Sequence, residues 1–172
     1  MNKNLLCIIQ CISNEIGAEL GKKQLQKFVY IFEAKGINLG FEYGIHFYGP
    51  YSEDLNHELL ILNSEGYVDL RITDSYHQIV PREITDKVDF DLSPEEQSLL
   101  LNIIQDHKEY KPHELELLTT THFVAIYSGD KSDEGILSGV KKIKGAKYSD
   151  AQIKGIISHI RNNYDLSKPL AI

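Results

Sequence analysis

Apolar residues at Leu5, Ile8, Ile9, Ile12 and Ile16 recur at helical spacing, and Leu25, Phe28, Val29 and Phe32 repeat the pattern after Gly17 and Gly21. Two amphipathic helices are predicted, the second ending at Gly36. Residues 41–48 are rich in aromatic and β-branched side chains, which favours extended chain, and Gly49 with Pro50 predicts a turn. Ser52 is placed to cap a third helix whose apolar stripe is Leu55, Leu59 and Leu62, with Glu53 and Asp54 at its positive end and Gly66 closing it. Tyr67, Val68, Leu70 and Ile72, then a polar Thr73, Asp74, Ser75 stretch, then Tyr76, Gln78, Ile79 and Val80 up to Pro81 read as a hairpin.

A polar, acidic connector is expected over residues 85–92. After it, Ser93, Pro94 and Glu96 form a capping box with proline at the first helical position. Four helices are predicted beyond that point. Leu99, Leu100, Ile103 and Ile104 mark the first; Leu115, Leu118, Ala125 and Ile126 the second, starting near Pro112; Ile136, Leu137 and Val140 the third. Ser149 with Gln152 caps the fourth, along Ile153, Ile156, Ile157 and Ile160. From Ser167 the chain reads as a loose tail. The fold class is mainly α with a small β-hairpin (α+β): a winged-helix-like region over residues 1–90, in which the hairpin is the wing, packed on a helical region over 91–172.

Composition narrows the function classes. The 172 residues are 42% hydrophobic, enough for a core without staples, and 18 Lys and Arg against 25 Asp and Glu give a formal charge of -7. That balance argues against a generally basic nucleic-acid or membrane-surface protein and leaves room for a local basic patch. The longest apolar runs, residues 5–9, 28–32 and 123–127, fall far short of the roughly 18 residues that cross a bilayer. With only Cys7 and Cys11 and no secretory signal at the start, a cytoplasmic setting is expected, with both cysteines packed beside Ile8 and Ile12.

The catalytic and metal motifs are incomplete. His57 and Glu58 open HELLI and His113 and Glu114 open HELEL, but neither has the second histidine one turn later that a zincin needs. Gly17, Gly21 and Lys22 imitate a phosphate loop with the wrong spacing, Lys23 where Ser or Thr should hold magnesium, and no strand before it. His122, after Thr119, Thr120 and Thr121, reads as a hydrogen-bonded core histidine without a nucleophile or acid partner. No cofactor, metal or catalytic residue is therefore expected.

Two segments remain as binding candidates. HFYGPYS supplies His46, Tyr48, Gly49, Pro50, Tyr51 and Ser52. It is either a structural turn with its aromatics inward or a partner-contacting edge, and Tyr48 and Tyr51, on opposite sides of the turn, cannot both enter one core. Lys141, Lys142, Lys144 and Lys147, with Lys154 and Arg161 beyond, form a basic patch opposed in sequence only by Asp150. It is either a solvated face or a phosphate-binding patch that touches an acidic partner or nucleic acid. The third helix carries Glu53, Asp54, Glu58 and Glu65 and no Lys or Arg, so it is not expected to read DNA.

KQLQKFVYI over residues 23–31, HFYGPYSEDL over 46–55 and EGYVDL over 65–70 resemble the bacterial YwgA-like proteins, which are similar in turn to the Panacea domain of SocA-type, phage-associated antitoxins. ELELLTTTHF over residues 114–123 extends the resemblance more thinly. It implies a small cytoplasmic protein with no enzymatic site that binds a toxin or a regulatory target, sometimes beside proteolytic adaptor roles. The expected function is thus a non-enzymatic protein-binding adaptor or antitoxin-like regulator. The alternative is a winged-helix transcription regulator.

Overall fold

The computed structural model describes residues 2–17, 19–73, 76–83 and 88–170. Helix α1 (Lys3–Ile16) starts where the Asn2 side chain accepts the Leu5 amide at 3.0 Å, and it stops at Gly17, whose φ of 57° is left-handed. Periodicity gives no strand before the second helix, yet a two-residue strand, β1 (Leu20–Gly21), leads into α2 (Lys22–Ala34). Leu25 through Phe32 are all buried, so α2 is enclosed on every side. That position makes it the support for everything around it.

Helix α3 (Glu53–Ser64) begins at Ser52, whose hydroxyl accepts the Leu55 amide at 3.2 Å. Strands β4 (Val68–Thr73) and β5 (Tyr76–Pro81) form the expected antiparallel hairpin, and β1 pairs with the far edge of β5, giving the order β1-β5-β4. The expected turn at Asp74 and Ser75 lies outside the described residues. So does part of the 85–92 connector. The rest of that connector is not merely solvated: Val88, Phe90 and Leu92 pack against the core, and the Val88 carbonyl accepts the Cys7 thiol at 3.5 Å. Cys7 is buried and Cys11 half-buried, both as free thiols, and burial pushes Cys7 up to about 11.

The second half consists of α4 (Pro94–His107), α5 (Pro112–Tyr127), α6 (Asp133–Lys144) and α7 (Asp150–Asn163). The capping boxes at Ser93 with Glu96 and at Ser149 with Gln152 are both formed. Helix α5 is the counterpart of α2: it packs against α2, α6 and α7, and ten of its residues are buried. Gly139 of α6 lies so close to Val124 that a Cβ there would sit 2.6 Å from its methyl, which fixes the spacing of α5 and α6. Buried side chains from both halves belong to one cluster.

The turn region departs from expectation. Residues 41–48 are not one strand followed by a turn at Gly49 and Pro50. Instead β2 (Gly44–His46) and β3 (Gly49–Tyr51) form a second antiparallel hairpin, with Phe47 and Tyr48 at its turn. Gly49 accommodates this with φ of 93°, and Pro50 is tolerated in so short a ladder, paired opposite Ile45. The preceding aromatics, Phe41 and Tyr43, do go inward.

Candidate functional site

The β2–β3 hairpin has a fixed base and an open tip. At the base, the Gln26 amide of α2 makes two bonds to Ser52: its Nε2 donates to the Ser52 carbonyl and its Oε1 accepts the Ser52 amide, both at 2.9 Å. This imitates a strand partner at a place where the ladder ends. One residue along α2, Lys27 Nζ donates to the Pro50 carbonyl at 2.6 Å. From the other half of the chain, Lys144 Nζ donates to the Phe47 carbonyl at 2.5 Å. Thr120 of α5 closes the underside, since a Cβ on Gly49 would come 2.7 Å from its Oγ1.

At the tip the rings face outward. Phe47 is 66% exposed, Tyr48 45% and Ile45 41%. The Phe47 and Tyr48 rings meet edge to face at 5.2 Å, and the Lys23 ammonium lies 3.3 Å above the Tyr48 ring. Tyr51 is half-buried beside His46, their rings 5.2 Å apart. Tyr48 is thus the member of the tyrosine pair that faces out. Exposed aromatics on a supported turn offer large contact area at small ordering cost.

The electrostatics under the hairpin are unusual. Burial, together with the nearby Lys144 and Lys23 ammonium groups and against the pull of Glu116, pushes Lys27 down to about 7. Lys144 is also lowered by burial, its side chain only 1% exposed, although its ammonium lies 2.9 Å from Glu116. Glu116 Oε1 takes Lys147 at 2.7 Å and the Tyr148 hydroxyl at 3.2 Å as well. Burial alone would raise that carboxyl, but the two lysines outweigh it and hold it low.

The expected basic patch is therefore divided. Lys144 and Lys147 are drawn to Glu116 beneath the hairpin, Lys141 pairs with Asp150 at 2.6 Å, and Lys142 is exposed. Asp150 is not the only opposing charge: Glu116 and Asp133, which holds Arg161 at 2.7 Å, come from other helices. Lys144 is no solvated residue, because a hairpin distant in sequence covers it.

No family model matches the chain. It is 27% identical over 121 residues, 66% of the chain, to a DNA ADP-ribosyl glycohydrolase of Thermus aquaticus, of which the match covers 33%. It is 35% identical over 57 residues, 33% of the chain, to the uncharacterized protein YwgA of Bacillus subtilis, of which the match covers 34%. The chain is similar to YwgA. It spans about a third of the length of these curated relatives.

A second polar centre lies between α2 and α5. The Tyr30 hydroxyl and His122 Nδ1 are 2.8 Å apart, His122 Nε2 has no partner, and the rings of Tyr43 and Tyr164 flank the pair. Among the described residues no Ser, Thr or Cys hydrogen-bonds to a histidine, and no three metal-ligating side chains gather at one point. No helix among them is long and apolar enough to cross a membrane. Tyr48, Tyr51 and Lys144 are among the residues expected from sequence at this hairpin, whereas Phe47, Gln26, Lys27, Thr120 and Glu116 are not. The one available signal was two consecutive polar residues, Gln26 and Lys27, beside the apolar face of an otherwise regular helix.

Proposed function

We propose that this protein is a non-enzymatic binding module, an adaptor or antitoxin-like regulator, that presents the β2–β3 hairpin to a partner protein. The observation that carries this reading is the contrast within the hairpin: its backbone is anchored by Gln26, Lys27 and Lys144, while Phe47 and Tyr48 stay exposed. Aromatic anchors held on a rigid support concentrate binding energy. The resemblance to YwgA-like and Panacea proteins supports a toxin or regulatory target as the partner. The relative named for DNA ADP-ribosyl glycohydrolase activity is about three times as long as its matched part. We read that shared part as a recognition segment, because the match covers only a third of that relative.

The test begins with native co-purification from source cells and reconstitution with the partner so identified. Phe47→Ala with Tyr48→Ala should weaken the reconstituted complex at least tenfold, about 1.4 kcal/mol, while thermal stability shifts by no more than about 3 °C. Unchanged affinity, or stability lost in step with affinity, makes the hairpin purely structural.

A winged-helix DNA-binding regulator is the second reading. It is favoured by β1 completing the β1-β5-β4 sheet after α1, α2 and α3, although the β2–β3 hairpin separates α2 from α3. The acidic α3 weighs against it.

A further inference from the structure

The hairpin tip stands over four lysines, of which Lys27, pushed down to about 7, carries only part of a charge at neutral pH while Lys144 and Lys147 share Glu116. Lys23 lies on the Tyr48 ring, Lys27 beneath Pro50, Lys144 beneath Phe47, and Lys147 beside Lys144 on Glu116. Glu116 is the one carboxylate in ion-pairing distance of these four lysines among the described residues. Lys23 and Lys147, at the ends of the row, are solvent-exposed. Each buried member is made costlier by its cationic neighbours, because like charges in a half-buried site are poorly screened. Lys27 and Lys144 are buried and bonded to the hairpin, so an incoming anion meets Lys23 and Lys147 directly and the buried pair only through its field.

The geometry points to an acidic segment of a partner protein as the occupant: Asp or Glu carboxylates over the Lys23–Lys147 row, with an apolar side chain against Phe47 and Ile45. This rests on the binding reading above and adds the chemistry of the partner. Nucleic acid has the same charge but fits less well. A long polyanion following the hairpin would also meet a hollow of about 570 Å³ at its strands, lined by Glu42, Glu53 and Asp54 beside His46 and Tyr51. A base seeking a stacking platform would also find one face of Tyr48 already taken by Lys23. A short segment that mixes carboxylates with an apolar residue meets neither obstacle.

The experiment selects a random-peptide display library on the full chain and measures the enriched peptides, their Asp→Asn and Glu→Gln counterparts, and oligodeoxythymidylate by fluorescence anisotropy. Wild type should enrich peptides that combine Asp or Glu with aromatic or aliphatic residues. Their neutral counterparts should bind at least tenfold more weakly, and raised salt should weaken the acidic peptides. Lys23→Glu with Lys147→Gln should abolish the acidic enrichment with the melting temperature retained, while Lys154→Glu, elsewhere on α7, should preserve it. Three results overturn the proposal: no acidic enrichment, enrichment insensitive to Lys23 and Lys147, or tighter binding of oligodeoxythymidylate lost in the same variant. The binding reading fails separately. If the acidic preference follows Lys23 and Lys147 but Phe47→Ala with Tyr48→Ala leaves the natural complex intact, the anion preference stands and the hairpin is not the partner face.

Discussion

Tyr30 and His122, ninety-two positions apart, share a 2.8 Å hydrogen bond in the seam where the two enclosed helices meet. Burial, with the Lys35 charge nearby, pushes His122 down to about 4 from the ordinary 6.5. The unfolded chain therefore binds the extra proton first. Stability from this group is complete above pH 6.5 and is lost as pH falls toward 4, by about 3 kcal/mol in total. His107 and His159 are lowered too and act in the same direction. NMR titration of the His122 imidazole checks the assignment: it should stay neutral well below pH 6.5, and titration near 6.5 would refute the argument.

Lys27 has its window on the other side of neutrality. Its folded value is about 7 against the ordinary 10.5, so between these the unfolded chain holds a proton that the folded chain has released. Stability should rise from pH 7 to pH 8.5 by about 1.5 kcal/mol. Lys27→Met, which removes the titrating group at similar volume, should flatten that rise in urea melts. An unchanged slope would mean that another group causes it.

Some of this was legible in sequence and some was not, for reasons of range. The capping boxes at Ser93 and Ser149 need only residues three positions apart, and both formed as read. Hydrophobic period, with capping and turn residues, predicts the seven helices seen among the described residues and the β4–β5 hairpin. The β2–β3 hairpin escaped because three-residue strands, one containing Pro50, carry no alternation, and their shape comes from Gln26, Lys27 and Lys144 rather than from their own residues. Lys144 read as a solvated charge for the same reason: its carboxylate partner, Glu116, sits on another helix.

Glu116 is the counterweight to two lysines, one of them buried. Glu116→Gln should cost about 3 kcal/mol by leaving the Lys144 ammonium uncompensated, and it should push Lys144 further down. Asp150→Asn removes an exposed pair with Lys141 and should leave stability nearly unchanged. Equal effects in denaturant melts would contradict the distinction between the two ends of the patch.

Gly49→Ala meets both a positive φ and the Thr120 hydroxyl, and should destabilise by about 2 kcal/mol or more. Gly44→Ala, where nothing lies near the new methyl and φ is not positive, should cost less than about 1 kcal/mol. Thr120→Ala in the Gly49→Ala background should recover only part of the loss, because it clears space without relieving the backbone. Full recovery would show that crowding alone had been responsible.

DNA binding through α3 is expected to be absent. Its first turn holds Glu53 and Asp54, its last turn has no basic residue, and Leu60 rather than a cation is exposed on it. Anisotropy against DNA from upstream of the gene should give no salt-sensitive, sequence-specific binding. Specific binding lost on changing Asn56 and His57 to Ala would instead establish the winged-helix reading.

The ammonium groups that fix the Phe47–Pro50 turn come from α2 and α6, on opposite sides of the hairpin in sequence. A synthetic peptide reading GIHFYGPYS would carry every ring of the tip and none of its supports. Free in solution it should neither adopt this shape nor compete with the intact protein, and an antibody raised against it should recognise denatured chain better than native. The shape of the tip is a discontinuous epitope, and imitating it requires Gln26, Lys27 and Lys144 to be reproduced along with the loop.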